Sequence, residues 1–347
     1  MSKTLAIYNG FKFHYEVMGY ILHYCFTQGH HVIVYCDIDN SNGYITLFQQ
    51  LFGQESHEYR PIERFDTEKC CYDAIFLLTD DDMSFSTNDQ DINRKTIRID
   101  HDFFVRRPEI QKCIATRPFL NGNGRPWALP CYPIIGSDSK LEILRDDKGG
   151  NRTTLDPKAD VRRTVGDDAG GSEARVVEAS QNEVDKRHKT HIVIVNNDYC
   201  YHSSIINRLQ SGNPIVIHAI SRDMDASRFS RLRDDIELHI YKNIDACALF
   251  RIVAHSDFVL TDVSVNPEYE NIKMSGAIPL AFSMLVPLII SKQTNSHYQF
   301  KNIIEFDKYG REPIVLEKKS IEFYRKLEGE RVELIETFFQ IMHSYLE

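Results

Sequence analysis

Several short stretches carry residues whose types and spacing could do chemistry. Lys273-Met274-Ser275-Gly276 opens an apolar helical segment just after a strand. Unpaired backbone N–H groups and the positive end of a helix dipole suit a phosphate there, Lys273 adds a mobile charge, and Gly276 permits close approach. The competing reading is a buried βαβ unit whose Gly276 lets the helix pack on its sheet. His101 lies between Asp100 and Asp102 at the carboxyl end of another apolar run, where a carboxylate would orient an imidazole and raise its basicity. Strand neighbours point to opposite faces, so that pairing depends on the local turn. His14, a few residues past the first strand, is an imidazole, a side chain whose unperturbed pKa of about 6.5 suits a base. Asp80-Asp81-Asp82 offers hard oxygen donors suited to magnesium or manganese, against the plainer reading of an acidic strand-to-loop junction. Gly122-Asn123-Gly124 has no Lys-Ser/Thr after it and reads as a turn.

The elements that must position these residues alternate. Thr4 to Tyr8 reads as a strand, Phe11 to Gly29 as a helix and His31 to Cys36 as a strand, a unit that forces parallel pairing with a right-handed crossover. Tyr44 to Phe52 is a short helix; Asp73 to Leu78 and Thr96 to Ile99 are buried strands, and Phe119 to Gly124 and Trp127 to Pro133 are expected to finish the first sheet. A second series starts at His191, with strands at 192–195, 214–220, 236–241, 257–262 and 286–291. Helices fill the gaps, including 226–233, 245–254 and about ten residues from 273, and a long one runs from Ile321 to about Leu346. Between Tyr132 and Tyr199 there is no aromatic residue, where about seven would be expected. The expected organisation is a Rossmann-like domain over 1–139, a polar linker or mobile insertion over 140–190, and a second Rossmann-like domain over 191–347 that includes the terminal helix. The fold class is α/β, two mainly parallel sheets facing each other across a cleft.

A chain of 347 residues with 42% hydrophobic content can bury two cores. A net charge of −9 argues against a nucleic-acid partner, which needs clustered Lys and Arg. The eight cysteines form no CxxC pair and no metal spacing, so free thiols in a reducing, cytoplasmic setting are expected. No apolar run reaches the roughly 18 residues of a membrane span and no signal-peptide core opens the chain, which leaves room only for a peripheral membrane contact.

Two βα series, with Glu270-Asn271-Ile272-Lys273-Met274-Ser275-Gly276-Ala277-Ile278-Pro279-Leu280-Ala281 after a strand of the second, resemble a GT-B glycosyltransferase. The resemblance implies a nucleoside diphosphate sugar as donor, held by the second domain, a glycan or other hydroxyl acceptor at the first, and no required cofactor or metal. It implies a base at His14 or, as rival, His101 with Asp100. For the donor it points to Lys273, Ser275 and Gly276 at the diphosphate and Tyr269 near the base or ribose. Asn197 and Arg222 follow strands of the second domain and would face the same cleft. The retaining pattern places an acid within the helix; here Glu268 and Glu270 precede it and 275–283 hold none, which favours inversion. Alternatives are a sugar-nucleotide epimerase, a GT-A-like metal-dependent transferase using Asp80 and Asp82, and a non-catalytic ligand-binding protein.

Overall fold

The computed structural model describes residues 2–10, 14–53, 57–79, 85, 88–101, 109–118, 125–136, 138–140, 189–195, 203–221, 229, 231–262 and 275–347. Its strands are β1 Thr4–Asn9, β2 His31–Cys36, β3 His57–Pro61, β4 Ala74–Thr79, β5 Thr96–Asp100, β6 Lys112–Ala115, β7 Thr190–Val195, β8 Leu209–Ser211, β9 Ile215–Ser221, β10 Ile236–Lys242, β11 Phe258–Leu260, β12 Leu288–Ser291, β13 Ile304–Phe306 and β14 Ile314–Leu316. The helices are α1 Tyr15–Thr27, α2 Tyr44–Phe52, α3 Phe65–Glu68, α4 Gln90–Lys95, α5 Ser203–Ile206, α6 Ala246–Ala254, α7 Ala277–Ser283, α8 Lys292–Tyr298 and α9 Ile321–Leu346.

Runs such as Leu5-Ala6-Ile7-Tyr8 and Val32-Ile33-Val34-Tyr35 are apolar at every position and wholly buried, because helices cover both faces of a parallel sheet. The first sheet has the order β3-β2-β1-β4-β5-β6, all parallel. The second repeats it as β10-β9-β7-β11-β12-β13, again all parallel. This is the doubly wound order, in which the strand sequence reverses between the first and fourth strands of each sheet. Loops leaving the carboxyl ends diverge at that point and open a crevice.

Two strands escape the hydrophobic pattern. β3, His-Glu-Tyr-Arg-Pro, is an edge strand, with Pro61 at its end where no ladder hydrogen bond is required. β6 is only four residues long, Lys112 followed by the buried Cys113, Ile114 and Ala115, too short to stand out as a pattern. The expected strand at Trp127 to Pro133 is reduced to a single bridge from Trp127 to Ala115. The chain then turns to the other half, with Tyr132 N–H donating to Ser283 Oγ (3.1 Å) and Ile134 N–H to Ser283 O (3.1 Å). Residues 119–124, residues 141–188, most of the expected linker or insertion, and half of the helix expected at 226–233, lie outside the described residues.

α9 serves both cores. Leu327 belongs to the core around α6 and α7, whereas Phe338, Met342 and Leu346 lie in the first core against α1. At about 1.5 Å per residue, its 26 residues span roughly 39 Å, long enough to cross from one sheet to the other.

Candidate functional site

At the reversal point of the first sheet, β1 and β4 pair in parallel with a register shift between Tyr8 and Asn9, an irregularity that re-aims the chain leaving β1. His14 follows and caps α1 in the left-handed conformation, φ 66°, which is uncommon outside glycine. Its Nδ1 stands 3.4 Å from Glu16 Oε1 in the first turn of α1. Both side chains stay accessible, at 38% and 40%. Burial pushes the Glu16 carboxyl up, but hydrogen bonding to His14 and its charge outweigh burial, and the net shift is downward. Glu16 is therefore a carboxylate near neutrality.

His101, just past β5, stacks on His14 with ring centroids 5.0 Å apart and an interplanar angle of 27°. Its Nε2 lies 2.9 Å from Leu78 O near the end of β4. A carbonyl only accepts, so Nε2 carries the proton and Nδ1 is bare. Burial, then the charges of His14 and Arg117, lower the His101 pKa to about 3, so the ring is neutral at any ordinary pH. The two rival histidines thus form one stack: an accessible ring beside a carboxylate, backed by a neutral ring fixed to the sheet.

Asp100 is placed elsewhere. Its carboxylate accepts from Arg98 Nη2 (3.1 Å) and Arg125 Nη1 (2.8 Å) in a buried cluster, and the carboxylate beside His14 is that of Glu16. Alternation along β5 sends Asp100 to the opposite side from His101. Glu16 was legible only as an acid in a helix's first turn. Two residues apart on one helix, it and His14 would not face each other; the left-handed cap brings them together.

At the reversal point of the second sheet, β11 continues through Thr261 to Asp262, φ 63°. The Asp262 carboxylate accepts from Ser291 N–H (3.1 Å) and Ser291 Oγ (2.5 Å), and Ser291 Oγ caps α8 by accepting from Thr294 N–H (3.1 Å). The chain leaving β11 is thereby tied to the end of β12. Thr261 Oγ1 is buried with no hydrogen-bond partner among the described residues. α7 begins at Ala277, later than expected, and has seven residues. Ser275 O accepts from Ile278 N–H (3.0 Å), and Ser275 Oγ lies 3.3 Å from Ala277 N–H. Gly276 has ordinary helical angles, φ −59° and ψ −16°, and a Cβ placed there would meet no described atom within 4 Å. Nothing described packs against Gly276, contrary to the reading in which it lets the helix approach the sheet.

Asn197, Arg222, Tyr269 and Lys273 lie outside the described residues, as do Asp80, Asp81 and Asp82. In sequence, Asn197 comes after β7, Arg222 after β9, and Tyr269 and Lys273 after β11, three strands that are neighbours in the second sheet. Among the described residues, no group of three or more His, Cys, Asp or Glu could hold a metal ion.

No protein-family profile matches the sequence, and no characterised protein does so by sequence. Solved structures do. AviGT4, a glycosyltransferase involved in avilamycin A biosynthesis, aligns over 99% of this chain and 98% of its own, with a TM-score of 0.53 at 10% identity. Anabaena Alr3699/HepE, crystallised in complex with UDP-glucose, aligns over 99% of both chains with a TM-score of 0.52 at 10% identity. The chain has the GT-B fold. The two halves of this GT-B chain are joined at Ser283, the last residue of α7. Its hydroxyl donates to Pro279 O (2.8 Å) and accepts from Tyr132 N–H, and its carbonyl accepts from Ile134 N–H and from Arg331 Nη1 of α9 (3.1 Å). Arg331 Nη1 also reaches Ile135 O (2.8 Å), and Trp127 of the first half meets Tyr298 of α8 edge-on at 6.2 Å.

Proposed function

We propose that this protein is a glycosyltransferase, moving a sugar from a nucleoside diphosphate donor to the hydroxyl of a glycan or other acceptor, with inversion and without a metal. The observation that carries the reading is the His14, Glu16 and His101 cluster at the reversal point of the first sheet. Glu16 orients the His14 imidazole, which takes the proton from the acceptor hydroxyl. The acceptor oxygen attacks the anomeric carbon as the bond to the diphosphate breaks on the opposite face. His101, being neutral, lets His14 gain its charge without a second cation against it. In the 191–347 domain, the leaving diphosphate would meet the start of α7 with Ser275 and Gly276, Lys273 and Arg222, while Tyr269 and Asn197 would hold the nucleoside. HepE, which shares the fold, was crystallised with UDP-glucose, which makes a uridine donor the first to try. The cysteines among the described residues are free, in keeping with a reducing cytoplasm, and no described helix is long and apolar enough to cross a membrane.

The test is a thermal-shift panel of UDP-, GDP-, dTDP- and CMP-sugars in EDTA and then in manganese, followed by acceptor-dependent turnover of whichever donor binds. Stabilisation that persists in EDTA supports the reading. Stabilisation only with manganese would move the donor site towards Asp80 and Asp82. Conversion of the donor without any acceptor would favour an epimerase, and binding without turnover a ligand-binding protein.

A further inference from the structure

Cys70 and Cys71 stand apart from this chemistry. Among the described cysteines four are buried and Cys247 is intermediate, whereas these two are exposed. They end a 3-10 turn, Lys69–Cys71, with their sulfur atoms 3.9 Å apart. The turn is pinned by Lys95 Nζ, which donates to Cys70 O (3.0 Å) and Tyr72 O (2.8 Å), so the two thiols are presented together on a fixed backbone.

That separation selects among the reactions open to a thiol pair. Consecutive Cα atoms lie about 3.8 Å apart, below the roughly 4.4 Å at which the usual disulfide range begins, so direct oxidation to a disulfide is strained. Two sulfur bonds of about 2.3 Å to one centre span at most about 4.6 Å, so sulfurs 3.9 Å apart can share a single bridging atom. The neighbours then decide which centre. A divalent cation such as zinc wants four ligands, and no third His, Cys, Asp or Glu joins the pair among the described residues. Lys95 beside the turn further disfavours a second cation. A neutral trivalent centre that is satisfied by two thiolates meets neither objection.

We propose that Cys70 and Cys71 form a surface dithiol site that chelates a thiophilic trivalent centre, of which an organic arsenical is the type. Phenylarsine oxide condenses with the pair: two S–H bonds break, two As–S bonds form, the arsenical oxygen leaves as water with both protons, and arsenic stays trivalent.

The experiment titrates the native full chain with phenylarsine oxide and reads the adduct by native mass spectrometry. Cys70→Ser and Cys71→Ser run in parallel, with circular dichroism confirming that each is folded. The expected result is one adduct per chain, stable to 2-mercaptoethanol, released by 2,3-dimercaptopropanol, and weakened at least 100-fold in each variant. An adduct that persists in both variants, or a wild-type affinity no greater than theirs, would overturn the proposal. So would zinc binding to this pair more tightly than the arsenical does.

Discussion

His23 lies on α1 between the rings of Phe52 and Phe339, and its Nδ1 is buried with no hydrogen-bond partner among the described residues. Burial, then the charge of Arg331, lowers its pKa to about 4. Between about pH 6.5 and 4 the unfolded chain binds this proton and the folded chain does not, so the group costs stability as pH falls through that window. His23→Phe keeps the ring contacts and removes the proton. It should raise the melting temperature, and by more at pH 5 than at pH 7.5; an equal gain at both would contradict the assigned shift. At the site, His14→Ala should slow transfer by about 100-fold or more with donor affinity unchanged, since a general base contributes on that scale. Glu16→Gln keeps the shape but loses the charge that favours imidazolium, and a loss of about tenfold, near 1.4 kcal/mol, is expected in turnover. If Asp100→Asn depressed turnover with stability intact while Glu16→Gln did nothing, the roles given to the two carboxylates would have to be exchanged.

Elements in this protein are fitted to one another at a few tight points. Gly19 sits mid-helix in α1, a placement that costs roughly 1 kcal/mol relative to alanine in an exposed helix. A Cβ there would overlap the ring of Tyr132, which crosses from the first half toward Ser283. Gly19→Ala should therefore destabilise by about 1–3 kcal/mol despite its better helix propensity, as overpacking does, and denaturant titration gives the sign. Ser283 is the matching point on α7. Ser283→Ala leaves the Tyr132 N–H buried without its acceptor, a loss of about 1–3 kcal/mol, and loosens the join between the halves. Hydrogen exchange faster at Tyr132 than in β1 would locate the effect.

On the scale of the whole molecule, α9 makes the two halves interdependent. Removing residues 337–347 strips Phe338, Met342 and Leu346 from a core that is otherwise built from the first half of the chain. At about 1.5–3 kcal/mol for each large buried apolar side chain, the first half should lose several kcal/mol. Lys112 Nζ and Tyr345 OH reinforce the same contact by donating to Tyr345 O (2.6 Å) and Cys113 O (2.9 Å). Exchange should accelerate in α1 before β11 in the truncated chain; the reverse order would mean that α9 belongs energetically to the second half alone.

The sequence by itself determined the α/β class, the two βα series and most buried strands, because a strand covered on both faces must be apolar at every position. It also marked α9 from its apolar spacing at Phe323, Leu327, Leu334, Ile335, Phe338 and Ile341, although the buried Glu330 and Arg331 interrupt the apolar face. It singled out His14 and His101 as separate candidates, since each follows a strand. What only the tertiary structure decided depends on chain segments far apart in sequence. The edge strands β3 and β6 exist through their neighbours, Gly19 is defined by a tyrosine more than a hundred residues away, and α9 divides its contacts between two cores. The left-handed cap at His14 and the hydrogen bond from His101 to the end of β4 likewise decided that the two histidines stack and that Glu16, not Asp100, is the carboxylate beside them. Side-chain direction at the end of a strand is set by the loop that follows and the strand beside it, and local periodicity carries no record of either.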